Sequence, residues 1–259
     1  MLFIEGRGMV QVLSGAESFC FKQGEMGCLL VHGGTGTPAV MKKMGKYLAE
    51  NGISSFGVRL KGFGTSVDDW LKTNHLDWIV SAEDALKELE KDCKRIFISG
   101  LSMGASLALV LAGKHKGSIA GAIPICAPLG PYFLEEFRGK FLPLAEENIP
   151  QPNYSATDIK DKNAKPGGYD CHYPSLNVEW ASLVEKANSV VPSIQCPVLI
   201  ILARNDHVID PNTAQWIHEN IGAKQKELFW LENSYHMATI DVDKEKLFNK
   251  AVEFIYQVS

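Results

Sequence analysis

Gly100-Leu101-Ser102-Met103-Gly104 sets a serine between two glycines, each two positions away. A serine hydroxyl becomes a useful nucleophile only where a base takes its proton and where donors receive the charge its attack creates. The pattern G-x-S-x-G is by itself a modest signal, because short strings of glycine and serine arise by chance. Its context adds weight. The motif follows the apolar run Ile96-Phe97-Ile98 and opens a helical stretch, Ser102–Lys114. A tight strand-to-helix turn strains the serine backbone, requires small residues on both sides, and turns the Met103 N–H and the helix N-terminus toward the reaction centre. The plainer alternative is a serine that caps a helix after a glycine turn.

His32-Gly33-Gly34-Thr35-Gly36 also leaves an apolar run and enters a helix. Glycines let the backbone approach a substrate, and a backbone N–H here can be the second oxyanion donor beside Met103. Gly34, directly after the His-Gly pair, is the candidate. A phosphate-binding loop is the rival reading, but G-x-x-x-x-G-K-[ST] is missing and no acidic residue ends the next strand. His32 reads as a brace for this loop rather than as the base.

The base and its orienting acid must follow the serine in the order Ser, acid, His. Asp206 comes just after the apolar run Val198–Ala203, and His236 just after Lys226–Leu231. Both fall where loops leave the carboxyl ends of parallel strands, the edge that collects ligands in open α/β sheets. The competitors have other uses. Asp210 precedes Pro211 and reads as a helix cap. Asp241 and Asp243 stand where a carboxylate favours a helix dipole. His207 adjoins the acid and should point away from it. His75, His115, His172 and His218 lie in helices, in the proline-rich segment or away from a suitable strand end.

These residues need a scaffold. Short apolar runs alternate with helical patterns, which predicts βαβ units and a parallel sheet. Strands are expected at Met9–Leu13 and Phe19–Lys22 as an antiparallel edge. Further strands are expected at Cys28–Val31, Ile53–Val58, Arg95–Ser99, Ile119–Cys126, Val198–Ala203 and Lys226–Leu231. Helices are expected at Ala39–Glu50, Leu76–Asp92, Ser102–Lys114, after Asp210-Pro211, and at Asp243–Val258. Arg59–Ser66 reads as a glycine-rich loop. Prolines crowd from Pro128 to Pro192, so this stretch reads as an insertion with short helices, carrying Phe133, Leu134, Phe137, Phe141 and Leu142. The expected division is a core of residues 1–127 and 193–259 with an inserted cap at 128–192.

The bulk numbers agree with one buried core. The chain has 259 residues, 46% of them apolar, and a net charge of -4. That charge offers no basic field for nucleic acid or an anionic membrane. The six cysteines form no CxxC pair and no Cys/His cluster with zinc spacing, and read as small buried hydrophobes in a reducing compartment. Glu5 and Arg7 interrupt the stretch a signal peptide would need, and no apolar run reaches the ~18 residues of a membrane span. A cytoplasmic protein is expected.

Four stretches carry a resemblance: His32–Pro38 (HGGTGTP), Gly100–Gly104 (GLSMG), Ala203–Pro211 (ARNDHVIDP) and Ser234–Asp241 (SYHMATID). In order and spacing they resemble bacterial carboxylesterases and monoacylglycerol lipases of the α/β-hydrolase superfamily, from about residue 26 to the C-terminus. The resemblance implies a mostly parallel sheet flanked by helices, with nucleophile Ser102, acid Asp206, base His236, and oxyanion donors Gly34 and Met103. It implies a cap over an acyl pocket and no cofactor. Three positions depart from the family. Gly34 stands where a bulky residue is frequent, implying a wider acyl pocket. Phe63 replaces a frequent histidine, and Tyr235 a frequent glycine. The expected activity is hydrolysis of short- to medium-chain acyl esters or monoacylglycerols. The expected partner is a small ester with a hydrophobic acyl group, without nucleic acid or stable membrane insertion. A thioesterase, amidase or acyltransferase could use the same triad, and a non-catalytic binding protein on this fold is the remaining alternative.

Overall fold

The computed structural model describes residues 11–259. In chain order it contains β1 (Phe19–Phe21), β2 (Met26–Val31), α1 (Ala39–Glu50), β3 (Ser54–Val58), α2 (Val67–Trp70), α3 (His75–Glu90), β4 (Arg95–Leu101), α4 (Met103–Lys114) and β5 (Ile119–Ile125). Then come α5 (Pro131–Phe141), β6 (Gln151–Pro152), α6 (Tyr154–Thr157), β7 (Cys171–His172) and α7 (Leu176–Val190). The chain closes with β8 (Val198–Ala203), α8 (Asn212–Asn220), β9 (Lys226–Leu231) and α9 (Lys244–Gln257).

Seven strands form one sheet in the order β1-β3-β2-β4-β5-β8-β9. Only β1 runs antiparallel, on β3, as expected of Phe19–Lys22. Of the other expected edge strand, Met9 and Val10 lie outside the described residues, and Gln11–Leu13 form no strand. The inner strands β2, β4, β5 and β8 are buried almost throughout because helices cover both faces, which is why they read as continuous apolar runs. Helices α1, α3 and α9 each bury one stripe, such as Val40, Met41, Met44 and Leu48 of α1. Helix α4 is buried from Met103 to Gly113, with the sheet beneath and α7 above.

The order β3-β2-β4 marks a switch in winding direction between β2 and β4. Val31 pairs with Gly100, so the chain leaves both strands side by side. There the Gly33 and Ser102 loops meet, in the kind of crevice where open α/β sheets bind ligands. The turn after β4 is the tightest place in the fold. Ser102 has φ 55° and ψ -120°, so it is the turn residue rather than the first residue of α4. A Cβ on Gly100 would lie 2.0 Å from the Gly104 carbonyl oxygen, and one on Gly104 would lie 2.3 Å from that of Val31.

Three expectations need correction. Helix α2, capped by Ser66 Oγ accepting the Asp69 N–H, follows the glycine loop where no element was expected. Residues 128–192 hold more than short helices: α7 spans 15 residues, and β6 and β7 form a small ribbon. Proline density hid the helical spacing of Leu176, Leu183, Val184 and Ala187, all buried. The cysteines are all free, but only Cys28, Cys93 and Cys126 are buried. Among the described residues no helix is long and apolar enough to cross a membrane.

Two glycines give opposite tests of this packing. Gly104→Ala should lower the urea midpoint, costing about 1–3 kcal/mol, because backbone oxygens cannot yield to the new methyl. Gly139→Ala, inside α5 with nothing within 4 Å of the added carbon, should instead stabilise by about 0.5–1 kcal/mol. Equal midpoints for the two variants would contradict the description of the turn.

Candidate active site

Three side chains from distant parts of the chain meet at the carboxyl end of the sheet. Ser102 Oγ lies 3.0 Å from His236 Nε2, and His236 Nδ1 lies 2.9 Å from Asp206 Oδ2. Nδ1–H therefore donates to the carboxylate, and Nε2 is left to accept the serine proton. Asp206 Oδ1 accepts the N–H groups of Val208 and Ile209, at 2.9 and 2.8 Å. Burial pushes the Asp206 carboxyl up, but the His236 ring and the two amides outweigh it and hold the group below its usual range. Both His236 and Asp206 are buried.

Gly34 and Met103 line the same cavity of about 880 Å³ as Ser102 and His236. His32 is the expected brace. Its Nδ1–H donates to the Gly33 carbonyl at 2.9 Å, and its Nε2 accepts the Leu60 N–H at 3.3 Å. Burial depresses its pKa to about 4; the Gly33 bond opposes this and Arg59 adds to it. A neutral ring is required, since a proton on Nε2 would displace the Leu60 amide. Phe63 packs its edge on this ring at 5.1 Å and is itself buried against Trp70 and Trp78. The space opposite Gly34 is not widened. A Cβ there would lie 2.6 Å from Cζ2 of Trp180, so the indole from α7 occupies that volume.

The loop bearing His236 has no regular structure, and carboxylates hold it. Asn233 and Ser234 donate their N–H groups to Asp243 Oδ2, at 2.7 and 3.0 Å. Tyr235 donates to Asp241 Oδ2 at 2.7 Å, and His236 to Asp158 Oδ2 at 3.0 Å. The Met237 N–H reaches the Asp158 carbonyl. Asp243 and Asp241 thus do more than favour a dipole: Asp243 makes no side-chain cap on α9. Asp241 also accepts the Lys160 and Asp161 amides. Asp210 is not the N-cap of α8, which is Pro211, but its Oδ1 accepts the Asn212 N–H at 2.8 Å at the helix entrance.

Asp158 escaped the sequence reading. Its Oδ2 also accepts the His207 N–H at 3.1 Å, and its Oδ1 lies 2.7 Å from His207 Nδ1. One carboxylate from the segment between β5 and β8 therefore ties together the loops of Asp206 and His236. The His207 ring bonds Asp158 and makes no hydrogen bond to Asp206. No motif marks Asp158, because its function depends on a fold that brings it across from a proline-rich stretch.

Cys126, with φ 48°, is a further polar neighbour. Its Sγ, an Asp206 carboxylate oxygen and a His236 ring nitrogen lie within 4.8 Å of one another, a spacing that could hold a metal ion. Burial raises the thiol well above its ordinary pKa, with the Asp206 charge adding to it, and the other two groups are bonded to each other. A metal would have to deprotonate the first and separate the others.

The chain is similar to known proteins in sequence and fold. A family model described as serine aminopeptidase, S33, matches residues 24–243. The chain is 36% identical over 245 residues to a thermostable monoacylglycerol lipase of Bacillus sp. (strain H-257), covering 94% of this chain and 95% of that one. It is 27% identical over 240 residues to a carboxylesterase of Bacillus subtilis (strain 168), covering 92% and 95%. The solved structure described as LipS and LipT, two metagenome-derived lipolytic enzymes, superimposes with a TM-score of 0.87 at 33% identity, covering 95% of this chain and 100% of that one.

Two tests address the supports of the site. Asp158→Ala leaves the His236 and His207 amides without their acceptor. Covalent labelling of Ser102 by a fluorophosphonate should slow by about tenfold or more, since a small displacement of a base is costly; an unchanged rate would assign Asp158 to stability alone. His32, depressed from the ordinary ~6.5, stabilises the fold fully above that value. As pH falls toward about 4, the unfolded chain takes up the proton first and up to about 3 kcal/mol is lost. Urea unfolding at pH 7.5 and 4.5 should show a flatter pH dependence for His32→Asn than for the wild type.

Proposed function

The chain belongs to the α/β-hydrolase family whose model is described as serine aminopeptidase, S33, and from that premise we propose that it is a serine hydrolase of carboxylic esters. The observation that carries this reading is the unbroken hydrogen-bonded line Ser102–His236–Asp206 at the wall of the cavity. In the proposed mechanism His236 Nε2 takes the Ser102 proton as Oγ attacks the ester carbonyl. The Gly34 and Met103 N–H groups receive the oxyanion, a contribution of about 3 kcal/mol for each donor. Asp206 stabilises the imidazolium, which protonates the departing alcohol. Water then attacks the acyl-enzyme by the same route and releases the acid.

Residues 128–192 act as a cap, and its α5 side chains Phe133, Phe137 and Phe141, which line the cavity, receive a hydrophobic acyl group. Short- to medium-chain acyl esters and monoacylglycerols are the substrates. The named activities of the two Bacillus relatives support this choice. The protein works in the cytoplasm on a small-molecule ester, without nucleic acid or stable membrane insertion.

The family model's name raises aminopeptidase activity as the competing reading. A panel of p-nitrophenyl esters from acetate to decanoate, run beside aminoacyl p-nitroanilides, separates the two. The esters should be cleaved, and Ser102→Ala should lower the rate by roughly 10⁴-fold or more. Anilide cleavage with every ester untouched would overturn the proposal.

A further inference from the structure

The residue that follows Gly34 holds a backbone conformation its own chemistry disfavours. The Gly36 N–H returns to the Gly33 carbonyl at 3.3 Å, so Gly33–Gly36 is a β-turn with Gly34 and Thr35 at its centre. Thr35 has φ 61°. A positive φ at the third position of a turn ordinarily falls to glycine or asparagine, and a β-branched side chain makes it costly. Such a residue persists only where its surroundings over-determine it.

Those surroundings come from the segment between β5 and β8. Thr35 and Asn153 are both buried. Asn153 Nδ2 donates to Thr35 Oγ1 at 2.6 Å, and Thr35 Oγ1 donates its own hydrogen to the Gly34 carbonyl at 2.6 Å. The Thr35 carbonyl accepts the Tyr169 N–H at 2.9 Å. Asn153 has one orientation open to it. Its Nδ2 also donates to the Tyr169 carbonyl at 2.8 Å, and its Oδ1 accepts the Ala156 N–H at 3.2 Å. Turned over, it would set an oxygen against a carbonyl and an NH₂ against an amide N–H. Tyr169 is fixed in turn, stacked on Trp70 at 4.7 Å with its hydroxyl donating to the Gly62 carbonyl at 2.7 Å.

Glycine has wide backbone freedom, so the aim of the Gly34 N–H is set by the two peptide planes that flank its Cα. The Gly33–Gly34 plane contains that N–H, and His32 Nδ1–H holds its carbonyl at 2.9 Å. The Gly34–Thr35 plane is held by the Thr35 hydroxyl and, through it, by Asn153. An oxyanion donor acts only where it points at the place the charge will occupy. We propose that Asn153 and Thr35 are positioning residues for the reaction: the segment between β5 and β8 reaches across to the turn and fixes the aim of the Gly34 N–H. This rests on the ester-hydrolase reading, with Gly34 as an oxyanion donor, and gives that segment a part in stabilising the transition state. A clamp that only fastened the segment to the sheet would move stability and leave the chemistry of each folded molecule unchanged.

The test uses the full chain, with p-nitrophenyl butyrate as substrate and butylboronic acid as a transition-state analogue. Boron accepts the Ser102 oxygen as His236 takes the serine proton, and the tetrahedral anion presents an oxygen to the oxyanion donors. Thr35→Val keeps the β-branch and removes only the hydroxyl, Asn153→Ala removes the clamp, and Thr35→Ser keeps the hydroxyl. Rates are expressed per Ser102 labelled to completion by a fluorophosphonate, which counts folded enzyme. In Asn153→Ala and in Thr35→Val, kcat should fall by about tenfold with KM within about twofold, and boronate inhibition should weaken by the same factor as kcat. Thr35→Ser, the conservative rescue, should recover most of that loss, and the double variant Asn153→Ala with Thr35→Val should lose little more than either alone. Thr35→Val against Thr35→Ser makes the same comparison where Asn153→Ala does not fold. Unchanged kcat and boronate affinity in either Asn153→Ala or Thr35→Val, or a rise in KM alone, overturns the positioning role and leaves the ester reading standing. A wild type that cleaves no ester overturns the ester reading itself.

Discussion

Five consecutive amides, Asn233 to Met237, donate to acceptors outside that stretch, and four of the five bonds end on the carboxylates of Asp158, Asp241 and Asp243. A loop without regular structure has no ladder to define it, so its shape is whatever its hydrogen bonds impose. Charge-assisted bonds of this kind are worth about 1.5–3 kcal/mol each. They set the position of His236, and with it the 3.0 Å approach to Ser102. The serine side of that contact rests on a different device. Ser102 holds a positive φ that costs of the order of 1–3 kcal/mol, sustained because Gly100 and Gly104 let strand and helix touch. Strain on one side and ionic anchoring on the other bring two backbones to one point.

The segment between β5 and β8 takes part in this anchoring. Asp158 holds the amides of His207 and His236. The amides of Lys160 and Asp161 bond Asp241. Asn153 donates to Thr35 Oγ1 at 2.6 Å, and the Tyr169 N–H to the Thr35 carbonyl at 2.9 Å, beside Gly34. Residues 153–169 therefore touch the loops of Asp206 and His236 and the loop of Gly34. Helix α5, by contrast, buries no residue. The two parts of the segment between β5 and β8 differ in how firmly they join the rest of the chain.

The sheet was readable because its inner strands, covered on both faces, became unbroken apolar runs such as Val198–Ala203. The meeting of Ser102, Asp206 and His236 was readable because Ser102 and Asp206 each follow such a run and His236 follows the half-buried edge strand β9, all at the same edge. What stayed hidden depended on contacts across the chain. Asp158 looks like any loop aspartate until the fold sets it against two amides. Asp241 and Asp243 were assigned to a helix end near them in sequence, while their carboxylates turn back to the loop of His236. The space at Gly34 looked empty because a glycine's local sequence says nothing about Trp180, far along the chain. Helix α7 was obscured for a simpler reason: prolines on both sides outweighed its apolar spacing.

Anchoring a loop from separate stretches also ties its survival to theirs. The supports of Asn233–Met237 come from the segment between β5 and β8 and from the approach to α9. The loop then has no cheap way to come loose by itself, since opening it breaks several charge-assisted hydrogen bonds and frees elements on either side. On heating, the chemistry and the scaffold should be lost in a single cooperative step, leaving no interval in which an inert but still folded molecule accumulates.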